Sequence, residues 1–370
     1  MRPQRVLMTL DAVGGVWRHV VDLAGALARN GTQVLLAGQG PAPAAEQRRE
    51  LAAIPGAELV WMGGPLDWMA VSEAELAGTV AELTAIALDH RADLLHLHLP
   101  GLAVGLPLEF PVVAAAHSCV VTWWEAMRRT RPPPEWDWHR RRNRAGFERA
   151  DIILAPSTSY ADAMVRCYGP IARLHVLPNA VAPIPASPTK EPFILAAGRW
   201  WDEAKNGIAL DRAAAGLPWP VLMAGSLEGP HGQSFRPHHA EALGPMAHER
   251  LAGLVGRAAI FASPSLCEPF GLAALEAAAA GAALLLADIP TYRELWDGVA
   301  IFADARDPAA FGHAARALIA DPNGRAVLGR RAQRRAEQFS LQRQLDSVAG
   351  FYAMALGHSM QRPLDRDNIQ

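Results

Sequence analysis

Lysine is almost missing from this 370-residue chain: Lys190 and Lys205 are the only two, and arginine supplies the rest of the 35 basic residues. A lysine for a pyridoxal cofactor would have to be one of these, and neither has that context. Cysteine is equally scarce. Cys119, Cys167 and Cys267 are scattered and form no CxxC pair, which excludes a disulfide scaffold or a cysteine zinc cluster and suits a reducing compartment. Charge of one sign is lacking too: 35 basic against 37 acidic residues leave a net charge of -2, so bulk electrostatics cannot grip nucleic acid. No apolar run is long enough to cross a membrane. The most apolar stretch, Leu272 to Ala287, is broken by Glu276 and Gly281 and reads as a buried helix followed by a strand. The amino terminus runs directly into a strand-like segment without an apolar leader, which sets the expectation of a cytoplasmic protein. No Asp-x-Asp pair follows a strand to hold Mg²⁺ against a diphosphate.

What is present is a chain that is 51% hydrophobic, which excludes disorder as the main state and, at this length, predicts two domains. Short apolar runs alternate with amphipathic segments. Strands are expected at Val6–Leu10, Thr32–Ala37, Glu58–Trp61, Asp93–Leu99, Val112–Ala116 and Ile152–Ala155. Helices are expected at Val16–Asn30, Glu73–Asp89 and Trp138–Arg149. A second series has strands at Phe193–Ala197, Val221–Ala224, Ala259–Ala262 and Ala283–Ala287, with a helix at Ala273–Ala280. Between the series, Pro178 to Pro192 carries five prolines and reads as a hinge. A last amphipathic helix, Leu341–Leu356, precedes a tail read as loose after His358. Alternating strands and helices imply parallel α/β sheets, whose ligands sit beyond the carboxyl ends of the strands.

The loops after strands therefore come first. Gly14-Gly15 opens the first helix and permits close backbone approach to a phosphate or sugar, although a plain tight turn explains it equally well. Its spacing is not GxGxxG, and the second strand ends without a ribose-binding carboxylate, which argues against a nicotinamide site. In the second half, Gly198-Arg199 closes a strand and Lys205 follows a short loop, a spacing that lets two cations clamp adjacent phosphates. Farther on, Glu268-Pro269-Phe270-Gly271-Leu272 leads into a helix containing Glu276. Two carboxylates flanking a helix amino terminus match a nucleoside-diphosphate sugar, one facing the sugar and the other the ribose. The bland alternative is a surface Glu268 and a buried or paired Glu276, the latter costly in so apolar a helix.

These segments, together with Ala116-His117-Ser118, Leu177-Pro178-Asn179 and Asp288-Ile289-Pro290, resemble glycosyltransferase family 4 over nearly the whole chain. The resemblance implies an α/β GT-B fold, two Rossmann-like doubly wound domains facing a cleft. Residues 1–182, completed by the carboxyl-terminal helix at about 341–358, would form the first, and residues 183–340 the nucleotide-sugar domain. It implies sugar transfer from an NDP-sugar to an acceptor hydroxyl, with retention, without metal and without a cofactor. Arg199 and Lys205 would clamp the diphosphate, Glu276 bind ribose, Glu268 hold the sugar hydroxyls, and His117 contact the sugar near the reacting centre. Gly271 and Leu272 would offer phosphate-binding amides within the Phe270-Gly271-Leu272 core. Gly14 and Gly15 would close on the donor from the other domain, and Gly244 to Met246 would lie at the base. The clamp loop, Trp200 to Ala204, is longer and more aromatic than in many relatives. A sugar-nucleotide epimerase, a phosphorylase or a non-catalytic binding module would keep this fold with other chemistry.

Two further groupings stand out. His96 and His98 share one face of a strand at the spacing of some metal sites, but no third ligand is apparent, and a strand end near the cleft is the favoured reading. After Trp123-Trp124, the stretch Arg128 to Arg144 interleaves seven arginines, against Glu135 and Asp137, with Trp136 and Trp138. An acceptor site for an anionic or lipid-linked substrate, a peripheral membrane patch and a solvated helix face compete here. Arg140 to Arg144 read as the solvated face, and Trp123 and Trp124 as an acceptor wall or as core packing. The acceptor itself, whether saccharide, lipid-linked or small molecule, is open, and nucleic acid is excluded as a partner.

Overall fold

The computed structural model describes residues 2–360; the tail expected to be loose lies almost wholly outside the described residues. The first sheet is built from β1 (Arg5–Asp11), β2 (Gln33–Gln39), β3 (Ala57–Trp61), β4 (Leu94–Leu97), β5 (Val112–Ala115), β6 (Ile152–Ala155) and β7 (Leu174–Val176). Its order is β3-β2-β1-β4-β5-β6-β7 with every pairing parallel. The second contains β8 (Glu191–Ala197), β9 (Val221–Ala224), β10 (Glu241–Gly244), β11 (Ala258–Ser263), β12 (Ala283–Ala287) and β13 (Ile301–Ala303). It runs β10-β9-β8-β11-β12-β13, again all parallel. Both are doubly wound sheets whose strand order reverses once, between β1 and β4 and between β8 and β11. A crevice opens at each reversal, beyond the strand ends.

The central strands are buried on both faces, which is why they read as continuous apolar runs rather than alternating ones. Leu94 to Leu97 and Ala283 to Ala287 are all inaccessible or nearly so. One cluster, from Phe193 to Ala336, surrounds the second sheet. Two clusters lie on the two faces of the first. The last helix, Leu341–Met360, leaves the second sheet's neighbourhood and inserts Leu345, Val348, Tyr352 and Ala355 into the cluster formed by β1 and the helix Gly15–Arg29. The chain thus passes between the two cores twice. The passages touch where Val181 pairs with Ser340 and where Gln344 Nε2 donates to Pro178 O at 2.9 Å.

One glycine holds the second crevice in shape. Gly225, immediately after β9, has φ +116, and a Cβ there would stand 1.9 Å from Gly198 O, at the root of Arg199. Gly225→Ala should therefore cost at least about 1–3 kcal/mol from backbone strain alone, with the clash adding to it. Thermal denaturation should show a fall in Tm of several degrees, and an unchanged Tm would show that the β8–β9 loops adjust freely.

Candidate functional site

Local sequence explains why the two crevices meet as they do. Gly14 and Gly15 start the helix Gly15–Arg29, and Gly271, at φ +90, starts the helix Leu272–Ala279. Neither start carries a side-chain cap, so the first-turn N–H groups of both helices keep their donor capacity and partial positive charge. The two starts approach each other across the cleft. A Cβ on Gly15 would meet Leu272 Cδ1 at 3.5 Å, and one on Gly14 would meet Arg199 Nη1 at 3.1 Å. A side chain at Gly271 would collide with the buried Tyr292 ring, 2.6 Å away.

The two cations line this junction, each beside a carboxylate. Arg199 Nη2 lies 3.2 Å from Asp202 Oδ2. Lys205 Nζ pairs with Glu268 Oε1, which also accepts from Ser265 Oγ at 3.1 Å. Lys205 ends a 3-10 turn, Glu203–Lys205, begun by Asp202, whose side chain accepts from Ala204 N. The aromatic clamp loop has two jobs. Trp200 is buried, with Nε1 donating to Ala224 O at 2.8 Å, and anchors the loop in the second core. Trp201 lies under the Arg199 guanidinium and stacks on Trp68 of the facing domain, with ring centres 6.2 Å apart.

Glu276 is 6% exposed, and no hydrogen bond reaches its carboxylate among the described residues. Burial pushes its pKa up to about 7, with Arg18 opposing the shift and Asp22 adding to it. Both of those residues lie on the helix Gly15–Arg29 of the other domain, where Arg18 is bonded to Asp22 and Glu50. Of the bland alternative, a buried or paired residue, the burial is present and the pairing is not found among the described residues.

His117 follows β5 and is half-buried. Burial lowers its pKa to about 4, so its imidazole is neutral near pH 7. Its Nε2 lies 2.7 Å from His98 Nδ1, a hydrogen bond that ties the ends of β4 and β5 together. His96 turns instead to Tyr352, with Nδ1 2.9 Å from the hydroxyl. The pair at 96 and 98 is thus split between a core contact and the cleft.

The remaining candidates separate. Phe270 is buried and stacks edge-to-face on Phe339, so its ring anchors the loop in the second core. Gly244 ends the edge strand β10 at φ +69, and Met246 packs on the second core. Trp123 Nε1 donates to Asp202 Oδ1 at 3.3 Å across the domains, and Arg128 pairs with Glu203 at 2.7 Å. Trp124 turns away, donating to Thr130 Oγ1 and packing against Trp136. The reading of Arg140 to Arg144 as one solvated face needs correction. Arg140 and Arg141 are exposed, but Arg142 is buried against Gly101 and paired with Glu73 at 3.3 Å, because the helix Asp137–Arg149 lays that side on the turn Pro100–Ala103. Lys190 lies before β8, at the opposite end of the sheet from the cleft, and its ammonium donates to Gly256 O and Ala280 O.

Several participants carried no motif. Asp202 faces Arg199 three residues on, a spacing visible in the sequence. His19 lies within 4.7 Å of His117, ring centre to ring centre, and its only signal was a polar residue on the apolar side of a helix. Across the domains, Ser157 Oγ donates to Pro269 O at 2.7 Å, while Thr158 N and Ser159 N donate to Glu294.

Comparison with known proteins covers the same ground. The model of Glycosyltransferase Family 4 matches residues 13–183, and that of Glycosyl transferases group 1 matches residues 184–335. A D-inositol 3-phosphate glycosyltransferase of Xylanimonas cellulosilytica is 27% identical over 92% of this chain and 92% of its own. Among solved structures, sucrose-phosphate synthase from Thermosynechococcus elongatus superposes with TM-score 0.77 at 18% identity, covering 96% of this chain and 100% of that one. Anabaena HepE, solved with UDP and glucose, superposes with TM-score 0.74 at 16% identity, covering 95% and 99%.

Proposed function

The chain belongs to the family 4-like glycosyltransferases of the GT-B fold, and on that footing we propose that it moves a sugar from a nucleoside-diphosphate donor to an acceptor hydroxyl, with retention and without a metal ion. The observation that carries this reading is the meeting of Gly14 and Gly15 with Arg199 and Leu272: two uncapped helix amino termini and a guanidinium converge from opposite domains. Such a convergence favours an anion of concentrated charge, as a diphosphate is.

The chemistry follows from where charge develops. As the glycosidic bond breaks, the leaving diphosphate gains negative charge, and Arg199, Lys205 and the helix amides stabilise it. The sugar becomes oxocarbenium-like. Glu268 holds its hydroxyls, and neutral His117, steadied by His98, contacts it near the reacting carbon. The departing phosphate takes the acceptor's proton, so no protein base is assigned. Glu276 takes the ribose hydroxyls. Trp123 walls the acceptor side. The complex of HepE with UDP and glucose supports a nucleotide-sugar donor, and the inositol-phosphate relative supports a small polyhydroxylated acceptor.

Incubation with UDP-, GDP-, ADP- and TDP-sugars should release NDP from one donor class, and the same base should raise Tm by mass action. Turnover should persist in EDTA. Turnover abolished by EDTA and restored by Mn²⁺ would remove the metal-free mechanism, and no NDP release from any donor would leave a binding module.

A further inference from the structure

We propose that His19, His98 and His117 form a binding site for one divalent transition-metal ion, Zn²⁺ being the probe of choice, set in the wall of the cleft. The three come from separate elements: the helix Gly15–Arg29 and the loops after β4 and β5. One ring nitrogen from each lies within 4.8 Å of the others. His98 Nδ1 and His117 Nε2 are already 2.7 Å apart, and the His19 ring centre lies 4.7 Å from that of His117 and 5.4 Å from that of His98.

Beyond their proximity, the surroundings of these rings suit a ligand. His19 and His98 are each 3% exposed, yet His19 Nδ1 has no hydrogen-bond partner among the described residues. Leaving a buried polar atom unpaired is costly, and a ligand that accepts its lone pair removes the cost. The imidazoles are also ready to coordinate: burial lowers the proton affinity of all three, and repulsion from neighbouring imidazoles, His96 among them, adds to this for His19 and His98. No proton therefore competes with a metal near neutral pH.

Ligand chemistry selects the ion. Three imidazoles with no carboxylate among them suit Zn²⁺, Ni²⁺, Co²⁺ or Cu²⁺ and are poor ligands for Mg²⁺ or Ca²⁺. Metal–nitrogen bonds of about 2.0–2.1 Å require the His98–His117 hydrogen bond to open and His19 to swing inward, which are side-chain motions only. The half-buried His117 gives access from the cleft. A metal bound there occupies the His117 lone pair and blocks the donor sugar, so the ion inhibits. That consequence rests on the proposed function; the binding does not.

Metal binding and turnover are therefore read separately. The full chain, stripped with EDTA and dialysed, is titrated calorimetrically with Zn²⁺ and, in parallel, with Co²⁺ under visible absorption. One ion per chain and the d–d bands of a tetrahedral nitrogen site are expected. His19→Gln and His98→Gln should each weaken binding at least as much as loss of an outer-shell partner does, roughly 10- to 100-fold. The double variant His238→Gln/His239→Gln, altered at two exposed positions, should bind as the parent does. Binding lost in that double variant but kept in the other two, or no cobalt spectrum from the parent chain, would overturn the site. The cobalt result does not depend on whether a histidine variant folds. Zn²⁺ binding without inhibition of NDP release would keep the site and remove His117 from the sugar.

Discussion

Arg199→Ala and Lys205→Ala are each expected to lower kcat about 100- to 1,000-fold, roughly 3–4 kcal/mol, the scale for losing one preorganised electrostatic donor. The reason is where the proposed clamp acts. The diphosphate bears its greatest charge while leaving, so a cation beside it is worth more in the transition state than in the bound donor, and the loss falls on kcat as well as KM. The structure adds a second source of damage. Without its cation, Asp202 or Glu268 would direct an unopposed carboxylate at the junction of the helix termini. Asp202→Asn with Arg199→Ala should then be less impaired than Arg199→Ala alone. Steady-state kinetics with the preferred donor measure both, and near-normal kcat in the two single cation variants would defeat the assignment.

Glu276 should behave in the opposite sense. Its folded pKa of about 7 stands above the ordinary 4.5, so the folded state holds the proton more tightly than the unfolded chain. Stability from the protonated form is complete below pH 4.5 and is lost as pH rises through 7; the shift corresponds to about 3 kcal/mol. Glu276→Gln keeps the neutral form at every pH. It should therefore match the parent near pH 4 and exceed it in Tm by several degrees at pH 8. The same change should raise donor KM more than it lowers kcat, because the proposed ribose contact lies away from the breaking bond. A Tm difference that does not vary with pH would mean that Glu276 ionises freely in the folded protein.

Apart from the edge strand β3, the strands legible in the sequence were those buried on both faces, where apolar runs are obligatory. β7, β10 and β13 were not read, and each lies at an edge of its sheet. An edge strand of three or four residues, such as Leu174–Val176, is fixed by its single neighbour rather than by its own pattern. The site divides in a similar way. Arg199, Lys205, Glu268 and Glu276 could be named because their spacing around a strand end and a helix start carries chemistry. Arg18 could not, because it meets Glu276 only when the domains face each other, nor could His19, whose approach to His98 and His117 is set by how the helix Gly15–Arg29 packs on the first sheet. The arginine-rich stretch misled for a related reason: composition cannot say that Arg142 finds Glu73, 69 residues away, while Arg141 stays exposed.

The final helix has a consequence for biosynthesis. Leu345, Val348, Tyr352 and Ala355 complete a core begun by β1, and Tyr352 supplies the hydroxyl that His96 bonds. On the ribosome this helix emerges after every strand of both sheets. The second sheet, whose core is contiguous from Phe193 to Ala336, can finish folding while the first is still waiting for its last piece. The domain started first is therefore closed last, and it spends most of translation with the part of one apolar face that the helix Gly15–Arg29 does not reach uncovered. A chaperone that screens nascent chains would meet that face, and a premature stop anywhere before residue 341 would leave it permanently open.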